Sequence, residues 1–295
     1  MILVTGGLGM IGAHTARALL DLGQEVVVTS HRRTAVPSFL TGEVAVEQLD
    51  VTDRGAFLAL RERYDVSDIV HLAGSIPGDD PVAYFRTDTT GLFNALDAAR
   101  AWGVRRFAVA SSLGVYIGRG ESPWHEGLSL PSAELPHLIV AFKKAVEPLT
   151  THGLQGSGVQ PVVLRIGSTW GPLMDPESPF NYIPPYISAV LRGEKPAPLY
   201  ADDGGDSCYA PDAGRAIALL LTADTLSHTT YNVSSGRPMR NRELADALQL
   251  PCKPGGQPNP HLDITRLTTD TGFTPQYDVP QAVAHYVAWR ADNPR

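Results

Sequence analysis

Residues 5–12 read TGGLGMIG, in which Gly7, Gly9 and Gly12 satisfy G-x-G-x-x-G and Gly6, Gly9 and Gly12 satisfy G-x-x-G-x-x-G. The chemistry such a stretch can do is anion binding, because bare glycines let a pyrophosphate approach backbone N–H groups at a helix start. Either spacing alone also describes an ordinary turn. Placement makes it specific here, since the apolar MILV runs into it and ARALLDLG follows with apolar residues at helical spacing. A dinucleotide site places an acid about 20 residues further on to hold the adenosine ribose. Ser30 stands there instead, followed by His31, Arg32 and Arg33. Guanidinium groups give charge-assisted hydrogen bonds to phosphate that a carboxylate would oppose, so this group predicts a 2′-phosphate, and NADP ahead of the alternative, NAD. A solvated basic turn would account for the same residues without a ligand.

The second stretch with chemistry in it is HLIVAFKKAVE, residues 137–147. Lys143 and Lys144 are amines that could anchor a cofactor, yet the residues four positions earlier are Ile139 and Val140, which cannot exchange a proton. Leu135, Leu138, Ile139, Val140, Phe142, Val146 and Leu149 surround the axis, which predicts a helix buried on more than one face. His137, after Pro136 as a first-turn proline, is expected to cap or border that helix.

These groups need elements to position them. Short apolar, β-branched runs (EVVVTS, EVAVEQLD, DIVHLAG, RFAVASS, PVVLRIG) alternate with helix-like stretches such as RGAFLALRERY and YFRTDTTGLFNALDAARAWG. Such alternation implies right-handed βαβ crossovers and a parallel sheet. Beyond residue 167, GPLMDPESP and GEKPAPLYADDGGD read as loops of a smaller, less regular lobe.

A chain of 295 residues, 43% of them hydrophobic, can bury a full core, and a net charge of -7 offers no basic field for nucleic acid. Two cysteines, Cys208 and Cys252, do not staple a chain of this size, and no charged-then-apolar leader is evident, so a cytoplasmic protein is expected. No apolar run approaches the ~20 residues of a membrane helix. No metal site is expected.

With these residues in view, the chain resembles the extended short-chain dehydrogenases/reductases, the NAD-dependent epimerase/dehydratase-like family. The likeness rests on TGGLGMIG, on LDVTD, on HLAG at 71–74, on ASSLGVYIG, VVLRIGSTWGP, YAPDAGRAI and YNVSSGRPMRNRELADAL, and on the closing LDITRLTTDTGFTPQYDV. It implies an α/β fold with a Rossmann-type, doubly wound parallel sheet and a smaller C-terminal substrate-binding lobe. Residues 1–167 would form the dinucleotide-binding domain, and 168–295 a mixed region, mostly substrate lobe, with some segments returning to the first core. The resemblance places Gly6, Gly9, Met10, Ile11, Gly12, Ser30, His31, Arg32, Asp50, Val51, Leu72, Ala73, Gly74, Ser111, Lys143 and Ile166 at the cofactor, with Asp50 and Val51 against adenine.

In that family a serine after the fifth strand polarises the substrate, and a Tyr-x-x-x-Lys helix supplies a phenol and an ammonium. Ser112 and Lys143 match the serine and the lysine, the latter because it precedes Glu147 by four positions. The tyrosine position is then Ile139. Tyr116 and Tyr209 are alternative donors from loops. The family's helix often joins a dimer interface, so a homodimer through the Lys143 helix is expected.

Nucleotide-sugar enzymes of the family carry Asn and Arg where this chain has Ser168 and Gly205, and dehydratase-type acids where Leu113 and Gly114 follow Ser112. A smaller or more apolar substrate is therefore expected, with Trp170, Met174, Phe180 and Tyr182 as pocket walls or as ordinary lobe packing. Three readings follow: an NAD(P)-dependent oxidoreductase or epimerase, a non-redox lyase or isomerase with structural dinucleotide, and a dinucleotide-sensing binding protein.

Overall fold

The computed structural model describes residues 1–132 and 135–293. The apolar run after Met1 forms β1 (Ile2–Thr5), the glycine turn opens α1 (Met10–Asp21), and β2 (Val26–Ser30) and β3 (Ala45–Gln48) follow. Next come α2 (Arg54–Ala59), β4 (Asp68–His71), α3 (Pro81–Trp102), β5 (Arg106–Ser112), α4 (Leu138–Gly153) and β6 (Gln160–Ile166). The predicted helix over 54–64 ends early as α-helix and finishes in a 3-10 turn, Leu60–Glu62. α3 begins before its predicted start because Asp80 caps it, accepting from the N–H groups of Val82 and Ala83, with Pro81 in the first turn.

The remainder is β7 (Thr169–Trp170), α5 (Ile183–Leu191), β8 (Gly204–Asp206), β9 (Cys208–Tyr209), α6 (Ala210–Thr222), β10 (Thr230–Val233), β11 (Pro238–Arg240), α7 (Asn241–Ala247), α8 (Thr265–Thr271) and α9 (Val279–Asp292). The main sheet has seven parallel strands in the order β10-β6-β5-β4-β1-β2-β3. The order reverses at β1, whose neighbours are β2 and β4, and ligands of such sheets sit beyond the strand ends at that reversal.

Alternate strand residues go to opposite faces. Ile2 and Val4 of β1 pack with Ala13, Ala16 and Leu19 of α1 and with Ile217 and Leu221 of α6. Leu3, Ile69 and Phe107 pack with Leu92, Leu96, Phe142 and Val146 of α3 and α4. Both faces are covered, which is why these strands read as continuous apolar runs. A separate core of Trp170, Ile187, Tyr209, Leu244, Val283 and Tyr286 holds the smaller lobe, while α6, β10 and α8 supply Leu220, Tyr231 and Leu267 to the main core. No helix among the described residues is long and apolar enough to cross a membrane.

Candidate active site

The glycine turn is built by contact. Gly6 has φ +67°, and a Cβ there would sit 2.9 Å from Ala73 N. A Cβ at Gly12 would sit 2.3 Å from Gly6 O, so α1 and the turn can close only around glycine. Gly9 differs: a Cβ there would meet only Gly6 O, at 3.2 Å, and otherwise points into open space. Gly9 is the N-cap of α1 with no side-chain cap, and no acid occupies the first turn through Met10 and Ile11. Open space over an uncapped helix N-terminus fits an anionic group.

The turn is wedged against the end of β4. Leu72 N donates to Thr5 O at 3.3 Å, Ala73 N to Thr5 Oγ1 at 3.3 Å, and a Cβ at Gly74 would lie 3.6 Å from Asp88 Oδ2. Leu72 and Ala73 thus stand beside the glycine turn. At the end of β2, Ser30 is half-buried while His31 and Arg32 are exposed. His31 Nε2 lies 3.6 Å from Asp50 Oδ2. Arg33 folds back over the turn and donates to Leu8 O at 2.8 Å. Asp50 accepts from Thr52 N and Thr52 Oγ1 at 2.9 and 2.8 Å, bonds that hold its carboxyl below the usual range. Asn94 Nδ2 fixes the next segment, donating to Val51 O and Thr52 O at 2.9 Å each.

Across the turn, β5 and α4 bring the remaining residues together. Lys143 Nζ donates to Ala110 O at 2.7 Å. Its stem is partly accessible, but its ammonium is desolvated, which pushes its pKa down to about 8 against the opposing pull of Asp88. His71, from β4, accepts or donates at Nδ1 with Thr5 Oγ1 at 2.9 Å. Burial, then the charge of Lys143, pushes His71 down to about 3, so it is neutral. Ser112 ends β5 and its Oγ accepts from Gly114 N at 3.1 Å. A Cβ at Gly114 would lie 2.8 Å from Val140 Cγ2 and 3.4 Å from Ser112 Oγ, so α4 passes directly over the serine turn.

Several expected residues have other partners. Ser111 Oγ bonds Glu147 Oε1 at 2.6 Å, so any cofactor contact from Ser111 comes through its backbone. Ile166 pairs with Ser112 across β5 and β6 and is buried. Tyr116 OH bonds Asn232 Oδ1 at 2.9 Å and Arg165 Nη1 at 2.8 Å inside the core. Tyr209 OH bonds His285 Nδ1 at 2.7 Å. Neither phenol is presented beside Lys143 by these contacts. His137 is the N-cap of α4 but makes no side-chain cap bond, and Pro136 precedes the helix instead of standing in its first turn. The apolar ring of α4 is only partly buried: Val140, Phe142 and Val146 are covered, while Leu138, Ile139 and Leu149 are half-buried against the same core.

The expected pocket walls divide. Trp170 is a core residue, with Nε1 donating to Ser207 Oγ at 3.0 Å, and Met174 packs beside it. Phe180 and Tyr182 are 64% and 44% exposed and lie outside that core. Ser168 Oγ accepts from Asn181 Nδ2 at 3.1 Å. Asp206 accepts from Ser168 N and Ser234 Oγ at 2.8 Å each and from Leu262 N at 3.1 Å. Gly205 beside it carries nothing toward a ligand.

A glycine turn at the reversal of a parallel sheet, with a buried lysine and a serine at the end of β5, defines a dinucleotide-binding α/β enzyme scaffold. The profile of the NAD dependent epimerase/dehydratase family matches residues 2–234, and the chain belongs to that family, an enzyme of the extended short-chain dehydrogenase/reductase type. A dTDP-glucose 4,6-dehydratase of Actinoplanes sp. is 26% identical, over 99% of this chain and 98% of its own. The UDP-glucose 4-epimerase of Mus musculus is 25% identical, over 98% and 92%. Among solved structures, UDP-glucose 4-epimerase from Thermotoga maritima with UDP-glucose superposes with TM-score 0.82 at 22% identity, covering 100% of this chain and 99% of its own. The Thermus thermophilus UDP-glucose 4-epimerase with NAD gives 0.75 at 26%, covering 97% and 98%.

Proposed function

We propose that the protein is an NAD(P)-dependent oxidoreductase or epimerase acting on a small substrate that is not a nucleotide sugar, with Ser112 and Lys143 as its catalytic residues. The observation that carries this reading is that α4 passes over the end of β5 with Lys143 bonded to Ala110 O at 2.7 Å and Val140 seated against the Ser112 turn. Bound along the strand ends, the dinucleotide's nicotinamide would accept and return hydride. Gly6, Gly9, Met10, Ile11 and Gly12 would hold its pyrophosphate, Asp50 and Val51 its adenine, and Lys143 its ribose. Ser112 would hydrogen-bond the substrate oxygen as charge develops on it.

NADP is proposed over NAD on the basic group His31, Arg32 and Arg33, with Arg33 already folded over the glycine turn. NAD is the alternative, and it is what several structural neighbours hold. The proposed substrate departs from the relatives, which are named for dTDP- and UDP-sugars. The departure rests on Gly205, which offers no side chain to a diphosphate, and on Ser168, whose hydroxyl is already bonded to Asn181. Ile139, one turn before Lys143, stands where the family's phenol would be, so proton transfer would fall to Lys143 itself or to water. The half-buried Leu138, Ile139 and Leu149 are the surface on which a homodimer would form.

The test is to identify any dinucleotide released from the purified protein, then follow nicotinamide absorbance in single turnovers with a panel of small carbonyl compounds. Substrate-dependent absorbance change is the expected result. Bound dinucleotide with no such change on any substrate turned over would favour the lyase or isomerase reading, and bound dinucleotide with no turnover would favour a sensor.

A further inference from the structure

Ala13, Ala16 and Leu19 of α1 turn inward to the sheet. The residues between them, His14, Arg17, Ala18 and Asp21, make a second stripe at helical spacing, and it borders a cavity of about 530 Å³ closed by α6 and by α9 with the segment before it. That volume falls within the range of small-molecule sites. Ring faces form much of the wall. His14 stacks on Phe39 with centroids 5.0 Å apart at 15°, and Tyr277 and His285 meet with centroids 5.5 Å apart. Flat apolar faces of this kind favour a flat aromatic guest.

The polar groups at the wall differ in what they still lack. Arg17 is neutralised, with Nη2 at 2.8 Å from Asp21 Oδ1 and Nη1 at 2.8 Å from Glu43 Oε2. Arg215 of α6 is not: its guanidinium stands over the Phe273 ring at 5.4 Å and Nη1 donates to Thr274 O at 3.3 Å, but among the described residues it forms no ion pair. Asp212, three residues earlier, is occupied in accepting from Gln276 N and Tyr277 N at 2.8 and 3.1 Å. His14 is only 7% exposed, and its Nε2 has no hydrogen-bond partner among the described residues. A buried polar atom without a partner is unfavourable, and a hydroxyl or N–H on a guest would satisfy it.

We propose that this cavity is a second ligand site, taking an aromatic carboxylate whose ring lies among Phe39, His14 and Tyr277 and whose carboxylate is held by Arg215. One uncompensated guanidinium matches a single negative charge, in the forked geometry a carboxylate accepts. The site is separate from the one built around Ser112 and Lys143. Neither residue borders the cavity, and α4 packs on the opposite face of the sheet from α1 and α6.

The test is calorimetric titration of the full chain with 4-hydroxybenzoate and with its neutral counterpart 4-hydroxybenzamide, each with and without saturating NADH. The carboxylate should bind saturably, about tenfold more tightly than the amide, and NADH should not displace it. Arg215→Gln should bring the two probes to nearly equal affinity. Ala18→Phe, which fills the cavity from α1, should abolish binding of both while keeping the melting temperature, and Leu22→Trp makes the same test at an exposed position if Ala18→Phe does not fold. No saturable binding of 4-hydroxybenzoate, equal affinity for acid and amide in the unaltered protein, or undiminished binding in the filled variant would each overturn the proposal. Displacement by NADH would place the probe at the dinucleotide site and overturn it as well.

Discussion

Glu147 and Arg165 form a two-pronged ion pair in the interior, with Arg165 Nε to Glu147 Oε1 at 3.0 Å and Nη2 to Oε2 at 2.8 Å. Burial alone would make the guanidinium easier to deprotonate, but the bonds and charge of Glu147 outweigh it and raise its pKa. Ser111 completes Glu147, and Tyr116 and Asn232 continue the network to β10. Since Glu147 lies one turn after Lys143, this pair sets the rotation of α4 that presents the lysine. Glu147→Gln leaves Arg165 buried without its counter-charge, so it should cost about 3–5 kcal/mol in urea unfolding. A loss below about 1 kcal/mol would mean the network is not what holds α4.

Gly9 isolates binding from folding. Because a Cβ there meets only Gly6 O at 3.2 Å, Gly9→Val should keep a melting temperature close to that of the unaltered protein. It should nonetheless lose dinucleotide binding, since the side chain enters the space over the helix N-terminus. Retained affinity would reduce the glycine turn to a structural turn. Gly12→Ala, by contrast, should disturb the fold itself.

Cofactor choice is read by titrating NADPH and NADH against fluorescence. The phosphate contacts of the basic group should favour NADPH by about 1–3 kcal/mol. Arg33→Ala should remove most of that preference, because Arg33 already lies over the glycine turn at Leu8 O. Equal affinities, or an NADH preference indifferent to both Arg32→Ala and Arg33→Ala, would overturn the NADP preference.

Much of this was legible in the sequence, for reasons that can be traced to particular residues. Strands such as Ile2–Thr5 and Phe107–Val109 are buried on both faces, so their apolar runs were unbroken, and the glycine turn declared its own position between strand and helix. The small lobe was illegible in detail because β7, β8, β9 and β11 are only two or three residues long, too short to show a period. Asn181 beside Ser168, and Tyr84 against Phe142, were missed for another reason. Each meets its partner through tertiary packing between distant segments, and no spacing along the chain records it.

Two buried histidines give the fold an acid limit. Burial pushes His14 down to about 4 and His71 to about 3, so both are neutral in the folded chain, whereas the unfolded chain takes up their protons below about 6.5. The unfolded state then binds more protons, and stability falls as pH drops from about 6.5 toward the folded values, by up to about 1.4 kcal/mol per unit for each group. His14 stacks on Phe39 with centroids 5.0 Å apart. His14→Phe should therefore preserve the packing and give a shallower fall in urea stability between pH 6.5 and 4. An unchanged slope would show that His14 is not titrating with unfolding.

The catalytic reading stands or falls with three substitutions around α4. Ser112→Ala should lower turnover by about a hundredfold, the scale of removing one hydrogen bond to a developing oxyanion. Lys143→Met should weaken dinucleotide binding and slow the reaction together, whereas Ser112→Ala should leave binding alone, since its hydroxyl is proposed to bond the substrate. Ile139→Tyr would introduce a phenol one turn before Lys143, but Ile139 is half-buried against the α3–α4 core and the larger ring must displace that packing. It should cost about 1–3 kcal/mol of stability and give no gain in the native reaction. A large rise in turnover for Ile139→Tyr would mean that the chain is a disabled member of its family, not one whose chemistry runs without the phenol. Full activity in the Ser112→Ala, Lys143→Met double variant would place the chemistry elsewhere in the molecule.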